Sequence, residues 1–270
     1  MEVNLQSVED QDLLDTERAI FNLLKASLQY PADAKLIAAK VTDDINFICR
    51  AEDRSGGDAN IMWYVWSVII EIARCVPSDH PWQDCLAQAV DGLRRQEGAV
   101  PSMEGDLWKD LPDLSVRMME LWEDPTVEVD EELIEGDFAR WRNQNSFAAR
   151  LTTPSFAPWL TLPLWQLRKA LEEPPTKGPV QECRVWVACE WIIRCAEIIL
   201  DGMDFEHPPS TALQTGSLCG DDIPQLGVER WEFWKKRFGE IAADAENLEL
   251  GSAIVERISD ARKRMDGIQK

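Results

Sequence analysis

Ile61-Met62-Trp63-Tyr64-Val65-Trp66-Ser67-Val68-Ile69-Ile70-Glu71-Ile72-Ala73-Arg74-Cys75-Val76-Pro77 is the stretch whose reading decides the fold. Its apolar side chains recur nearly all round a helical wheel, so the spacing predicts a helix over 58–76 with no wide polar face. Such a helix belongs at the centre of a bundle. Pro77 stops it, because proline cannot continue a helix and restricts the residue before it. Glu71 and Arg74 stand three apart, the separation at which an ion pair closes along a helix face.

A second stretch, 180–201, has the same character, with Val185, Trp186, Val187, Trp191, Ile192, Ile193, Ile198 and Ile199, and with Glu190 four residues before Arg194. Charges in both segments, including Glu197, disfavour a membrane span. Two explanations of the likeness stay open: a duplication with halves 1–125 and 126–270, or convergence on core composition.

Working outward, helical periodicity runs almost end to end, and no convincing alternating strand is present. The expectation is an all-α, compact bundle of about ten helices around two central Trp-rich apolar helices, in a single domain over 1–270. Ser7-x-x-Asp10 reads as a capping box for a helix at 10–28 striped by Leu13, Phe21, Leu24 and Leu28. A helix at 32–53 carries Leu36, Ile37, Val41, Ile45 and Ile48 and breaks at Gly56-Gly57. Ser78-Asp79-His80-Pro81 restarts the chain into 81–96, with Pro81 at the first helical position. Val116, Met119 and Trp122 mark a short helix near 112–123. Asp130, followed by Glu131 and Glu132, caps the next one, which runs through Phe138, Trp141, Phe147 and Leu151. Helices at 160–172, 228–247 and 251–268 complete the set, and 202–227 is the longest irregular stretch.

Composition bounds the function. The 270 residues include 49 acids against 28 Lys and Arg, a formal net charge of −21. That field repels phosphate backbones and anionic lipid, so neither nucleic acid nor membrane is an expected partner. Lys235-Lys236-Arg237 and Arg262-Lys263-Arg264 sit among acids and read as solvated helix faces. Seven cysteines without a C-x-x-C pair suit a reducing compartment. The N-terminus lacks the basic start and apolar run of a signal peptide, so cytoplasm or nucleus is expected.

Catalytic and metal motifs fail their spacing tests. Ser78-Asp79-His80 are adjacent and cannot nest as a nucleophilic triad; a capping turn is the better reading. Cys75, His80 and Cys85 fit no usual zinc spacing. The run Asp124 to Glu135 has Val129 where a calcium loop needs glycine. Asp43-Asp44 and Asp221-Asp222 lack the third acid of a diphosphate-binding metal motif. No Gly-rich phosphate loop occurs. The sequence therefore predicts no cofactor, no metal and no catalytic residue, and favours a non-enzyme.

Two features remain. Between Glu97 and Asp137, fourteen acids face only Lys109 and Arg117. On 141–151, Asn143, Asn145, Ser146 and Arg150 crowd polar groups onto a helix otherwise built to be buried on Trp141 and Leu151. Buried polar groups must find partners, so these side chains either bind a ligand or lock neighbouring helices to the backbone.

Trp63-x-x-Trp66 with Ile69, Ala73-Arg74, Val76-Pro77 and His80-Pro81-x-x-x-x-Leu86, joined by Trp141-x-Asn143-x-Asn145-Ser146-Phe147-Ala148-Ala149-Arg150-Leu151, resembles a family of fungal proteins known only as domain of unknown function 3632. The likeness runs from about residue 20 to 245 and rests mainly on core-like motifs. It implies a fungal source and an intracellular helical protein, some of whose relatives look like accessory genes of specialised metabolism, and it implies no reaction. The leading expectation is a non-enzymatic protein-interaction module that selects basic or neutral protein partners through the acidic surface around 104–137. The rival is a small-molecule-binding or catalytic accessory protein with a Trp-lined pocket oriented by Trp141, Asn143, Asn145 and Arg150.

Overall fold

The central helix predicted from 61–77 is present as Ile61–Cys75, and it buries ten of its side chains, among them Trp66, Ile69 and Ile72. The computed structural model describes residues 3–55, 60–101, 103, 105–128, 134–204, 210–220 and 222–268. Among them it is all-helical, with eleven α-helices and no strand beyond two isolated antiparallel bridges. No helix of the described residues is long and apolar enough to cross a membrane. The chain divides into two compact units, residues 1–124 with 139–151, and residues 125–138 with 152–270.

The first unit holds α1 (Gln6–Glu9), α2 (Asp15–Leu28), α3 (Ala34–Ser55), α4 (Ile61–Cys75), α5 (Pro81–Arg94) and α6 (Leu114–Glu120). It also holds residues 139–151 of α7 (Ile134–Leu151). α3 lies along α5, α2 packs on α3 and α4, and α6 packs on α4. Each fully buried large apolar side chain of α4 contributes roughly 1.5–3 kcal/mol of transfer free energy.

The second unit holds α8 (Thr161–Leu167), α9 (Gly178–Gly202), α10 (Val228–Ala243) and α11 (Ser252–Asp266). α9, the predicted second central helix, lies along α11. α8 runs on into a π-helical turn at Arg168–Glu172, where one helix had been expected through 172.

None of the twelve tryptophans is exposed, which makes them packing groups in both units. Several buried indole N–H groups find carbonyls: Trp66 donates to Pro112 O at 2.7 Å and Trp165 to Ala212 O at 2.8 Å.

Three local readings are corrected. α2 starts at Asp15, and the Glu17 carboxylate accepts from Leu14 N–H at 3.1 Å; Ser7 instead meets Arg140 at 3.1 Å. The buried stripe of α3 is Ile37, Ala38, Val41, Ile45 and Cys49, and Leu36 points out because its register is one residue off that face. On α6, Leu114 and Met118 are buried whereas Val116 and Met119 are exposed. Gly56, Gly57, Asp130, Glu131, Glu132 and Asp221 lie outside the described residues.

Candidate functional site

The polar residues of α7 converge on the turn between α4 and α5. Asn143 Nδ2 donates to Arg74 O at 3.0 Å, tying α7 to the last turn of α4. Asn145 is fully buried and donates to Trp141 O one turn back, at 3.0 Å. Trp141 packs edge-on against Trp122 with ring centroids 4.8 Å apart. Arg150 reaches furthest: its Nη2 donates to Ser78 O at 2.7 Å and its Nε to Asp84 Oδ1 at 2.6 Å, while Nη1 holds the Ser146 hydroxyl. The planar guanidinium suits this role, since its fixed fork spans three acceptors that a lysine could not serve together.

Sequence reading missed two partners of this lock. Gln83 is completely buried and its amide donates to Ala73 O at 2.9 Å and Val76 O at 2.8 Å, closing the carbonyls left open where Pro77 ends α4. Gln144, also fully buried, donates to Leu121 O at 2.9 Å. Neither is distinguishable from a surface glutamine in a single sequence.

The turn so held forms one wall of a cleft of about 480 Å³. His80 caps α5, its Nδ1 accepting from Trp82 N–H at 3.2 Å, and its ring meets Trp82 edge-on at 5.3 Å. Pro81 occupies the first helical turn, as expected. Leu28, Tyr30, Ala34 and Ile37 at the α2–α3 corner form the facing wall. Asn143, Asn145 and Arg150 do not line it; Arg150 stands behind its wall.

The described part of the acidic stretch in the first unit is built around a strained corner. Leu111 (φ 44°) and Asp113 (φ 65°) flank Pro112 in the left-handed region, which costs a residue with a Cβ roughly 1–2 kcal/mol. Burial of Trp108, Leu111 and Leu114 and the Trp66 bond to Pro112 hold the corner in place. It positions acids close together: desolvation, and then the charge of Asp106, raise the Asp113 carboxyl above its ordinary value. From this corner α6 exposes Val116 (53%) and Met119 (38%) beside Glu120. Arg117 covers the Trp63 ring at 5.1 Å and pairs with Glu120 at 3.1 Å.

Each central helix also carries a clamped carboxylate. Glu71 pairs with Arg74 at 2.7 Å on its own helix and with Arg140 of α7 at 2.7 Å. Burial alone would raise its carboxyl, but Arg74, Arg140 and Gln11 outweigh it and leave the group below its ordinary value. In the second unit Glu190 is bound by Arg194 and by Arg257 of α11. Arg257 also lies over the Trp186 ring at 4.2 Å.

The second unit contains a buried ion pair that nothing in the sequence announced. Glu172, placed by the π turn, accepts from Arg230 Nε at 2.6 Å, Trp234 Nε1 at 2.6 Å and Gly216 N at 2.7 Å. Gly216 is required here: a Cβ would stand 2.5 Å from Glu172 O. Arg230 also donates to Leu213 O, Gln214 O and Gln225 O, so one buried pair gathers residues 213–216 and 225 ahead of α10.

Among the described residues no three His, Cys, Asp or Glu side chains stand close enough to hold a metal ion. Cys75 meets Arg140, His80 caps its helix, and Asp44 is bound by Lys40 at 3.1 Å and by Ser27.

A family model described as a protein of unknown function, DUF3632, matches residues 66–238, and the chain belongs to that family. The match includes most of the residues that carry the resemblance, from Trp66 through Leu151. Neither a curated protein nor a solved structure matches the chain.

Proposed function

We propose that the protein is a non-enzymatic interaction module that engages a basic, amphipathic protein segment through the acidic face around α6. One observation carries this reading: Val116 and Met119 are exposed on the same side of α6 as Glu120, inside a stretch of dense negative charge. From Glu97 to Asp124, eight acids face two bases. A short face that is apolar at its centre and acidic at its rim matches a helix with apolar residues on one side and Lys or Arg around them. Methionine suits such contacts because its side chain adapts to varied partners.

The strained corner at Leu111-Pro112-Asp113 also supports the reading. Backbone strain of this kind persists where surrounding structure over-determines it, and it clusters at functional sites. Desolvation first, and then the charge of Asp106, raise the Asp113 carboxyl, and a docking cation offsets the second of these.

Nucleic acid is disfavoured as the partner, because the basic clusters are neutralised within the protein. Lys235 pairs with Asp266, Arg237 with Glu240, Lys263 with Asp260 and Arg264 with Glu197. Seven cysteines without a disulfide, six of them buried, fit a cytoplasmic or nuclear setting.

The test is a titration with a synthetic helical peptide of leucine and lysine, followed by calorimetry at two salt concentrations. Binding that weakens as salt rises, and falls at least about tenfold in Asp110→Lys/Glu123→Lys, is expected from the loss of charge complementarity. Equal affinity in the folded double variant would sink the reading.

A further inference from the structure

The cleft between the α2–α3 corner and the start of α5 is notable for what it lacks. Among the described residues, Val3, Leu28, Gln29, Tyr30, Ala32, Ala34, Ile37, His80, Pro81, Trp82 and Cys85 line it, and none of these is Asp, Glu, Lys or Arg. Aromatic rings are concentrated in the same place. One of the chain's two tyrosines, one of its two histidines and a tryptophan meet there, although only 8% of residues are Phe, Trp or Tyr.

His80 accepts through Nδ1 from Trp82 N–H, so that ring nitrogen is already engaged within the turn. Cys85 is completely buried, and burial followed by the charge of Asp84 raises its thiol, so it lines the floor as a small hydrophobe. The wall is also rigid, since Arg150 pins both Ser78 O and Asp84 across the turn. A preformed wall lowers the ordering cost of binding.

From volume, lining and rigidity together, we infer that this cleft binds a small, uncharged, planar aromatic molecule. About 480 Å³ falls within the range of pockets for small organic ligands, roughly 300–1,000 Å³. Trp82 and Tyr30 offer ring faces and edges for stacking. Among the described lining residues an anionic ligand meets no cation, with the chain's net negative field outside, and a cationic one meets no carboxylate. The site is separate from the acidic face of α6, and the inference does not depend on that reading.

The probe is N-phenyl-1-naphthylamine, a neutral aromatic dye whose emission rises in apolar surroundings, added to the full chain. Expected are saturation at one equivalent and at least about tenfold weaker binding of its anionic sulfonate analogue. Tyr30→Ala should weaken the neutral dye at least about fivefold; Tyr30 is 54% exposed, so this variant keeps its fold. Ala34→Trp, which fills the cleft, should abolish saturable binding with an unchanged helical circular-dichroism spectrum. Absence of saturable binding, equal affinity for the anionic dye, or unchanged affinity in Tyr30→Ala would overturn the inference. Should Ala34→Trp fail to fold, the Tyr30→Ala and anionic-dye results decide it.

Discussion

Glu172 and Arg230 are both essentially inaccessible, at 0% and 1% side-chain exposure, and each finds its partners within the protein. A buried pair of this kind adds little net stability over apolar residues, because desolvation offsets most of the attraction. Breaking it is another matter. Glu172→Gln leaves the Arg230 charge buried without its counter-ion, and we expect a loss of about 3–5 kcal/mol in denaturant melts; a loss below about 1 kcal/mol would show that water or another acid reaches Arg230. Arg150 presents a graded version. Asp84 is 57% exposed, so Asp84→Asn should cost under about 1 kcal/mol. Arg150→Lys surrenders the fork to Ser78 O and Ser146 and should cost about 1–3 kcal/mol, measured the same way. The α7 cluster was visible in the sequence because Asn143, Asn145 and Arg150 stand out on an otherwise apolar helix. Glu172 was not, since its partners are 44, 58 and 62 residues away and only the fold joins them.

Helices differ in how openly the sequence declares them. α4 and α9 could be read directly, since a helix apolar on every side admits one environment. α6 could not. With seven residues, its inward face is settled by the Trp66 bond to Pro112 rather than by periodicity, and Val116 and Met119 consequently turn outward. The same element-level coupling makes α4 sensitive to acid. The Glu71 carboxyl is held below its ordinary value in the folded state by Arg74 and Arg140, against the opposing effect of burial. Its stabilising contribution is therefore present above the unfolded value, about 4.3, and is lost as pH falls through the lower folded one. Thermal melts between pH 5 and the acid limit should show this slope, and Glu71→Gln should flatten it. The opposite sign holds for the buried thiols. Burial pushes Cys49, Cys195 and Cys219 up to about 12, so stability should decline as pH rises from about 8.5, where the unfolded thiols ionise, toward 12. Stability unchanged above pH 9 would contradict that assignment.

For the whole molecule, charge is the property that connects sequence to proposed role. The net −21 was read at once from composition, the all-helical class from periodicity and the family from its motifs. Which acids share a surface with apolar side chains required the fold, and so did the neutral cleft, whose walls come from residues about fifty positions apart. The proposed role rests most heavily on the acidic face of α6 as the docking surface. Amide hydrogen exchange of the full chain, with and without the leucine–lysine peptide, tests that claim most directly. Added protection concentrated in residues 114–123, with the cleft wall at 80–85 unchanged, is the predicted result; protection centred elsewhere, or none at saturating peptide, would contradict it.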